Sequence, residues 1–520
     1  MSEPGASAIP ADRRSVSAWG TFLGGQAAIG GNLFVALGLV IQASRGGAGF
    51  AFALSGLVFL LVGLAYVEMV TALPVAGGAQ YFVLRGLGDF WGFIAGAALI
   101  LDLTIGIALF ATMTASYANT FAPVLLGIEA STLAVHLPVV GRFEWFWFAE
   151  SLAVASSLVV ANCRGLKEKA RLNAAVGIAT LVGLSVLVVA GFLFSWNAIA
   201  FVDTLHSDWR GLRGFGYGLS LSIISFVGLQ TLALTAAECR RPAAVMPRPS
   251  IALILTTVLF ALALPHLALG AATPSVFGHG EAPLAVLAAL VPSFGPALSS
   301  LISGLACAVL LASANSFLAS VSRLAYSMGQ YDSLGPWARQ THPRFHTPIK
   351  ALAVFGALIA GELSLAFFWP GATPLEVLAN MYAFGAMLAY SLAMIAVIRL
   401  RSVEPHLPRP YRVPISVSLA LRGGRTPVPL LAIAALMGSL MLLGFVVATH
   451  EIGRIAGPGW ILVCTGYYLM YRRSNGLPLF GSIRRDWPGE QVRLLRAADE
   501  SDQADLYSRA RALGAREGHP

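Results

Sequence analysis

The sequence predicts an all-α integral membrane protein of about twelve transmembrane helices, on the grounds of its composition, the recurrence of long apolar runs and the placement of its basic residues. Of the 520 residues, 57% are hydrophobic and 11% charged, and the mean hydropathy is +0.74. Soluble domains carry about a quarter charged residues, so this chain cannot be kept in water. Runs of about 20 apolar residues, enough for a helix to cross about 30 Å of hydrocarbon, recur along nearly its whole length. The expected spans are 17-42, 48-70, 88-117, 143-163, 171-195, 214-237, 249-272, 294-328, 349-369, 375-400, 427-448 and 454-472.

The net charge of +9 raises the question of a nucleic-acid partner, and the position of the charges answers it. Spans alternating from an inside N-terminus gather most basic residues on one side. They are Arg85; Arg164, Lys167, Lys169 and Arg171; Arg240, Arg241 and Arg248; Arg339, Arg344 and Lys350; and Arg399, Arg401, Arg409, Arg412, Arg422 and Arg425. The other side keeps only Arg45, Arg142, Arg210, Arg213 and Arg454 of the 34. That bias is the positive-inside rule, so the expected partner of the basic side is the lipid bilayer and no nucleic acid is implied. Both termini are expected in the cytoplasm and the chain in the plasma membrane.

Residues 1-16 are polar, carry Arg13 and Arg14, and read as a short cytoplasmic lead rather than a signal peptide. The first, third and eighth runs exceed a straight span and must tilt, break or project beyond the bilayer. Glycines mark two of the spans: Gly24, Gly25, Gly30 and Gly31 in the first, and Gly214, Gly216, Gly218 and Gly228 in the sixth. One reading is an interrupted helix, which survives in lipid only where it is buried in protein or lines a cavity. Interruptions five spans apart are the mark of an inverted repeat with a midplane binding site. The other reading is close helix packing through small residues.

Asp102 lies in the middle of the third span, where an unpaired carboxylate costs several kcal/mol. Three roles compete for it: proton carrier, partner of a cationic solute, or hydrogen-bonded acid joining helices. Glu68 and Glu238 sit near cytoplasmic span ends and read as gate or scaffold residues. Glu144 and Glu150 lie near the outer face. Residues 473-520 form a polar tail with a short amphipathic helix expected near Asp499 to Leu513. The four cysteines, Cys163, Cys239, Cys307 and Cys464, show no disulfide or zinc spacing. With no phosphate-binding loop and no cluster of nucleophile and base, neither a nucleotide-driven pump nor an enzyme is expected.

Five blocks in order carry a more specific message. They are Ile29-Gly30-Gly31-Asn32-Leu33-Phe34; Tyr66-Val67-Glu68 with Leu73-Pro74-Val75-Ala76-Gly77-Gly78-Ala79-Gln80-Tyr81; Phe226-Val227-Gly228-Leu229-Gln230 with Ala237-Glu238-Cys239; Ser322-Arg323 through His342-Pro343-Arg344-Phe345-His346-Thr347-Pro348; and Leu407-Pro408-Arg409-Pro410-Tyr411. Together they resemble the amino acid-polyamine-organocation (APC) superfamily of permeases, up to about residue 472.

The resemblance implies a leucine-transporter-like fold. Helices 1-5 (17-200) would form one repeat, helices 6-10 (214-400) its inverted copy, and 427-472 two peripheral helices. It implies a secondary transporter for an amino acid or related amine, working by alternating access, either coupled to an ion gradient or exchanging. Ile29, Gly30, Gly31 and Asn32 would offer backbone N–H groups to a carboxylate, and Phe226, Val227 and Gly228 carbonyls to an ammonium, with Gln230 beside them.

The chain departs from the family pattern at two of these residues. Asn32 stands where the family usually has its second glycine, either touching solute or capping the helix half. Gln230 replaces a frequent acid, which weakens proton coupling through that position. Ser313, Asn315 and Ser316 in the eighth span could help first-span carbonyls hold Na⁺, or could simply bond between helices. No resident cofactor is expected, and the coupling ion stays open between Na⁺ and H⁺. A transporter-shaped receptor signalling through the tail is the alternative function.

Overall fold

The computed structural model describes residues 17–75, 77–123, 134–137, 141–165, 170–207, 211–278, 281–343, 345, 347–421 and 424–516. The lead 1-16 with Arg13 and Arg14 lies outside the described residues, as do Ala76, Lys167, Lys169, Arg210, Arg344, His346 and Arg422.

Helix α1 (Ala18–Ile29) begins at Ser17, whose hydroxyl accepts the Gly20 N–H at 3.1 Å, a side-chain cap on an otherwise unpaired donor. A 3-10 segment over Gly30–Phe34 interrupts the span before α2 (Ala36–Ser44) completes it. A tight turn at Arg45–Gly47 leads straight into α3 (Ala48–Ala72). The short α4 (Ala79–Leu87) precedes α5 (Asp89–Asn119), α6 (Trp145–Cys163), α7 (Ala170–Phe194) and the short α8 (Ala198–Ser207). The sixth span is α9 (Gly211–Ser222), a 3-10 turn at Ile223–Phe226, and α10 (Gln230–Glu238). After it come α11 (Pro247–Ala271), the short α12 (Pro283–Ala289), α13 (Gly295–Gln330), α14 (Ile349–Phe367) and α15 (Pro374–Val403). The spans end with α16 (Leu430–Thr449) and α17 (Gly453–Ser474).

Among the described residues ten stretches are long and apolar enough to cross a membrane. The first, Ala18–Ala72, is a 55-residue run that holds two crossings, α1 with α2 and then α3. Helix α17, with 22 residues, has the length of the expected last span but not the apolarity. The sheet content among the described residues is two antiparallel hairpins, β1 (Val135–Leu137) with β2 (Gly141–Phe143) and β3 (Ser416–Leu421) with β4 (Gly424–Pro429).

Helix α5 is the axis of the molecule: its apolar window is wholly buried, and α13, α15, α14 and α6 pack around it. On α7, by contrast, Ile178, Val182, Val186, Val189 and Leu193 are exposed at helical spacing, the apolar face a bilayer covers.

The tail holds the helix expected near Asp499 to Leu513 and more than the sequence predicts. It holds two helices, α18 (Trp487–Ala497) and α19 (Ser501–Arg516), and it packs back on the ends of the spans. Gln491 accepts from Arg85 at 2.5 Å and donates to the Ala72 carbonyl at 3.0 Å, and Glu490 accepts from Tyr81 and Tyr331. Asp89 pairs with Arg485 at 2.6 Å and with fully buried Arg472 at 3.3 Å. The Arg241 N–H donates to the Ala498 carbonyl and the Ala243 N–H to Glu500, so the tail also grips the link between the sixth and seventh spans. Burial raises the Glu500 carboxyl above the ordinary carboxylate range, against the lowering effect of the Ala243 N–H.

Candidate functional site

The two interruptions face each other in the interior. At the first, Gly31 lets the backbone approach α13: a β-carbon there would lie 2.9 Å from the Ser313 β-carbon. At the second, Val227 turns extended (φ −74°, ψ 151°) and Gly228 takes φ +122°, a conformation L side chains avoid. Gly24, Gly25, Gly214, Gly216 and Gly218 sit inside regular helix instead, and Gly25, Gly216 and Gly218 serve as close-packing points against Leu253, Phe445 and Ser44. Both sequence readings of the glycines therefore apply, each to different residues.

Asn32 bridges the interruptions. Its Nδ2 donates to the Val227 carbonyl at 2.8 Å, and its Oδ1 accepts from the Tyr382 hydroxyl of α15 at 3.2 Å. The Gly31 N–H donates to Ser313 Oγ at 3.3 Å, and Ser313 donates to the Ala27 carbonyl at 2.9 Å. Ile29 packs against Gly228, while the Phe226 ring lies against Phe59 of α3 at 5.2 Å between ring centroids.

The start of α10 is capped from α15. The Gly228 and Leu229 N–H groups donate to the Tyr390 hydroxyl oxygen at 3.2 and 3.3 Å, and that hydroxyl donates to Gln230 Oε1 at 3.3 Å. Gln230 Nε2 in turn donates to Asp102 Oδ2 at 2.9 Å, and buried Asp102 Oδ1 has no hydrogen-bond partner. A continuous chain thus runs from the intramembrane acid to the backbone of the second interruption. Asn32, Val227, Asp102 and Tyr382 are all 0% exposed, so this centre is closed to solvent.

The remaining candidates are placed elsewhere. Glu68 is held on the tail side by the Arg401 guanidinium at 3.0 and 2.5 Å, by the Val413 N–H at 2.8 Å and by Arg409 at 3.4 Å. Burial pulls the Arg409 guanidinium down to about 10, against the raising effect of Glu68. Glu238 pairs with Arg323 at the partly exposed tail-side end of the sixth span. Of the hydroxyl-rich stretch Ser313, Asn315 and Ser316, Ser313 faces the first span, whereas Asn315 accepts from Asn162 of α6 at 2.7 Å. Two residues of separation rotate a helical side chain by about 200°, which is why Ser313 and Asn315 serve different neighbours. Among the described residues no group of His, Cys, Asp and Glu is placed to hold a metal ion.

Sequence reasoning missed a second intramembrane acid and two tyrosines. Glu362 of α14 is buried, accepts from Thr104 of α5 at 2.8 Å, and leaves Oε2 without a partner. Its signal was legible, an acid inside the ninth apolar run. Tyr382 and Tyr390 gave none, because an aromatic in a buried helix reads as core.

On the side away from the tail, a cleft of about 730 Å³ opens above the closed centre, with Leu39, Tyr217, Leu221, Trp369, Glu376 and Asn380 in its lining. Tyr217 closes part of it by donating to Glu376 at 2.7 Å. Nearby, His450 lies between α16 and α17 with Nε2 2.5 Å from Ser220 Oγ. Burial pushes its pKa down to about 4, against the raising effect of contacts with Asn380 and Tyr217.

Two interrupted helices that meet at buried backbone groups held by side chains, beneath a cleft on one face and a closed network on the other, make this a multi-pass membrane transporter. The chain belongs to the amino acid permease family, within the APC superfamily, whose sequence profile matches residues 20–470. Its relatives include a branched-chain amino acid permease of Bacillus subtilis, 26% identical over 479 residues that cover 88% of this chain and 92% of that one. A methylthioribose transporter of the same organism is 26% identical over 480 residues, covering 89% and 94%. A vacuolar cationic amino acid transporter of Arabidopsis thaliana is 27% identical over 396 residues, covering 72% of this chain and 61% of that one. These are permeases and not enzymes, and they lend no support to the receptor alternative.

Proposed function

We propose that the protein is a secondary active transporter that moves an amino acid or a related amine by alternating access, driven by a proton gradient. The observation that carries this reading is the meeting of the two interruptions, where helix ends of opposite polarity place backbone donors and acceptors in one buried centre, each held by a side chain that a solute can replace. A zwitterion is the solute such a pair of helix ends recognises. The branched-chain and cationic amino acid specificities in the names of the relatives agree with that class.

Proton coupling is supported by the chain Asp102–Gln230–Tyr390–Gly228. Protonation at Asp102 alters what Gln230 donates to, and Tyr390 passes that change to the N–H groups at the start of α10. Sodium is the less favoured ion, since Asn315 is turned away from the first span. One interruption in each half supports the division into repeats 17-200 and 214-400, with 427-472 peripheral. The basic residues on the tail side support a plasma-membrane orientation with both termini in the cytoplasm and the cleft outside.

The test is uptake into proteoliposomes from a panel of labelled amino acids, under an imposed proton or sodium gradient. Accumulation driven by the proton gradient, and lost in Asp102→Asn, is the expected result. Accumulation that follows sodium alone, or Asp102→Asn uptake with unchanged pH dependence, would overturn the coupling. Binding without uptake or exchange would overturn the transport reading itself.

A further inference from the structure

The unusual element of the centre is a side chain. Val227 leaves the helix extended, so its carbonyl is turned out of the helical ladder and needs a donor from elsewhere. In the closed centre that donor is the Asn32 carboxamide, itself held by Tyr382. One fully buried amide therefore ties the first, sixth and tenth spans together.

We infer that Asn32 is a built-in competitor of the solute's ammonium group: its carboxamide holds the Val227 carbonyl in the closed centre, and an ammonium that takes the same carbonyl displaces it. This rests on the reading of the interruptions as an amino acid site. The exchange has a direction. A charged N⁺–H donor makes a hydrogen bond roughly twice as strong as a neutral amide does, so an ammonium gains by replacing Asn32. An N-acylated amino acid offers only an amide N–H, equivalent to the one already there, and gains nothing. The residue thus selects solutes with a free ammonium and keeps the unloaded centre shut.

Asn32→Ala removes the competitor, and Tyr382→Phe loosens its anchor while retaining the amide. The first measurement needs no solute. A cysteine placed at Leu39, in the cleft about 10 Å along the span from Asn32, is alkylated by a charged maleimide, with the unsubstituted protein as background. One net hydrogen bond corresponds to roughly 2- to 10-fold, so Asn32→Ala is expected to speed labelling by that factor and Tyr382→Phe by less.

The second measurement is equilibrium binding of an amino acid and its N-acetyl derivative. Asn32→Ala is expected to bind the free amino acid roughly 2- to 10-fold more tightly and to discriminate less against the N-acetyl form. Unchanged labelling in both variants overturns the inference, as does weaker amino acid binding by Asn32→Ala, which would make Asn32 a direct ligand. A wild-type protein that binds no amino acid overturns the reading of the site instead, and the labelling result still decides whether Asn32 holds the interruptions together.

Discussion

Removing the Glu68 carboxylate is the sharpest test of the tail-side closure. Glu68 is 0% exposed and takes a two-pronged hydrogen bond from Arg401, a backbone N–H from Val413 and the charge of Arg409. The side chains of Arg401 and Arg409 are only 4% and 5% exposed, so water cannot take over the carboxylate's role. Glu68→Ala leaves two guanidinium groups and one backbone donor facing a cavity. Breaking a buried pair from one side costs about 3–5 kcal/mol, most of it the desolvation of the stranded charge.

Glu68→Gln keeps one acceptor oxygen and the volume, and is expected to fall between wild type and Ala. In Glu68→Met combined with Arg401→Met both partners become apolar, so part of the loss is expected to return; Arg409 and the Val413 N–H prevent full recovery. The measurement is unfolding of the purified protein by a denaturing detergent titrated into mild micelles. A loss below about 1 kcal/mol for Glu68→Ala, the range of a screened surface pair, would refute the reasoning.

Two further outcomes follow from the geometry. His450 has an ordinary pKa of 6.5 and a folded value of about 4, so the folded protein prefers it neutral. The stability this contributes is complete above about pH 6.5 and is lost as the pH falls from there to about 4, at most ~3 kcal/mol for the shift. His450→Gln is expected to flatten that part of a stability-against-pH curve, and parallel curves would contradict the assignment. On the tail, Gln491→Ala strands the buried Arg85 Nη1 and the Ala72 carbonyl, worth about 1–3 kcal/mol of docking. Faster tryptic cleavage beyond Ser474, with the spans intact, is the expected result, and an unchanged rate would show that docking does not depend on this contact.

The apolar runs alone placed the spans to within a few residues, from α3 (expected 48-70, found Ala48–Ala72) to α16 (expected 427-448, found Leu430–Thr449). The reason is that a helix crossing lipid must satisfy every backbone group within itself, so length and apolarity decide where it lies. Glycine at Gly30, Gly31 and Gly228 made the interruptions legible, because the backbone there needs a close approach or a positive φ that other residues resist. Asp102 was legible as an intramembrane acid, and by the same rule Glu362 should have been.

Only the tertiary structure decided which way side chains point and what reaches them from far along the chain. Asn315 turns to Asn162 rather than to the first span, Gln230 turns to Asp102, and Tyr382 and Tyr390 meet the two interruptions from the tenth span. The tail, in which the sequence shows one amphipathic helix and no partner, closes over Arg85, Asp89 and Tyr331. A helix buried on all sides carries little periodic signal to set its rotation, so these contacts depend on the packing of spans hundreds of residues apart. The order and nature of the helices are therefore local facts written in the sequence, and the chemistry of the centre is a fact of their assembly.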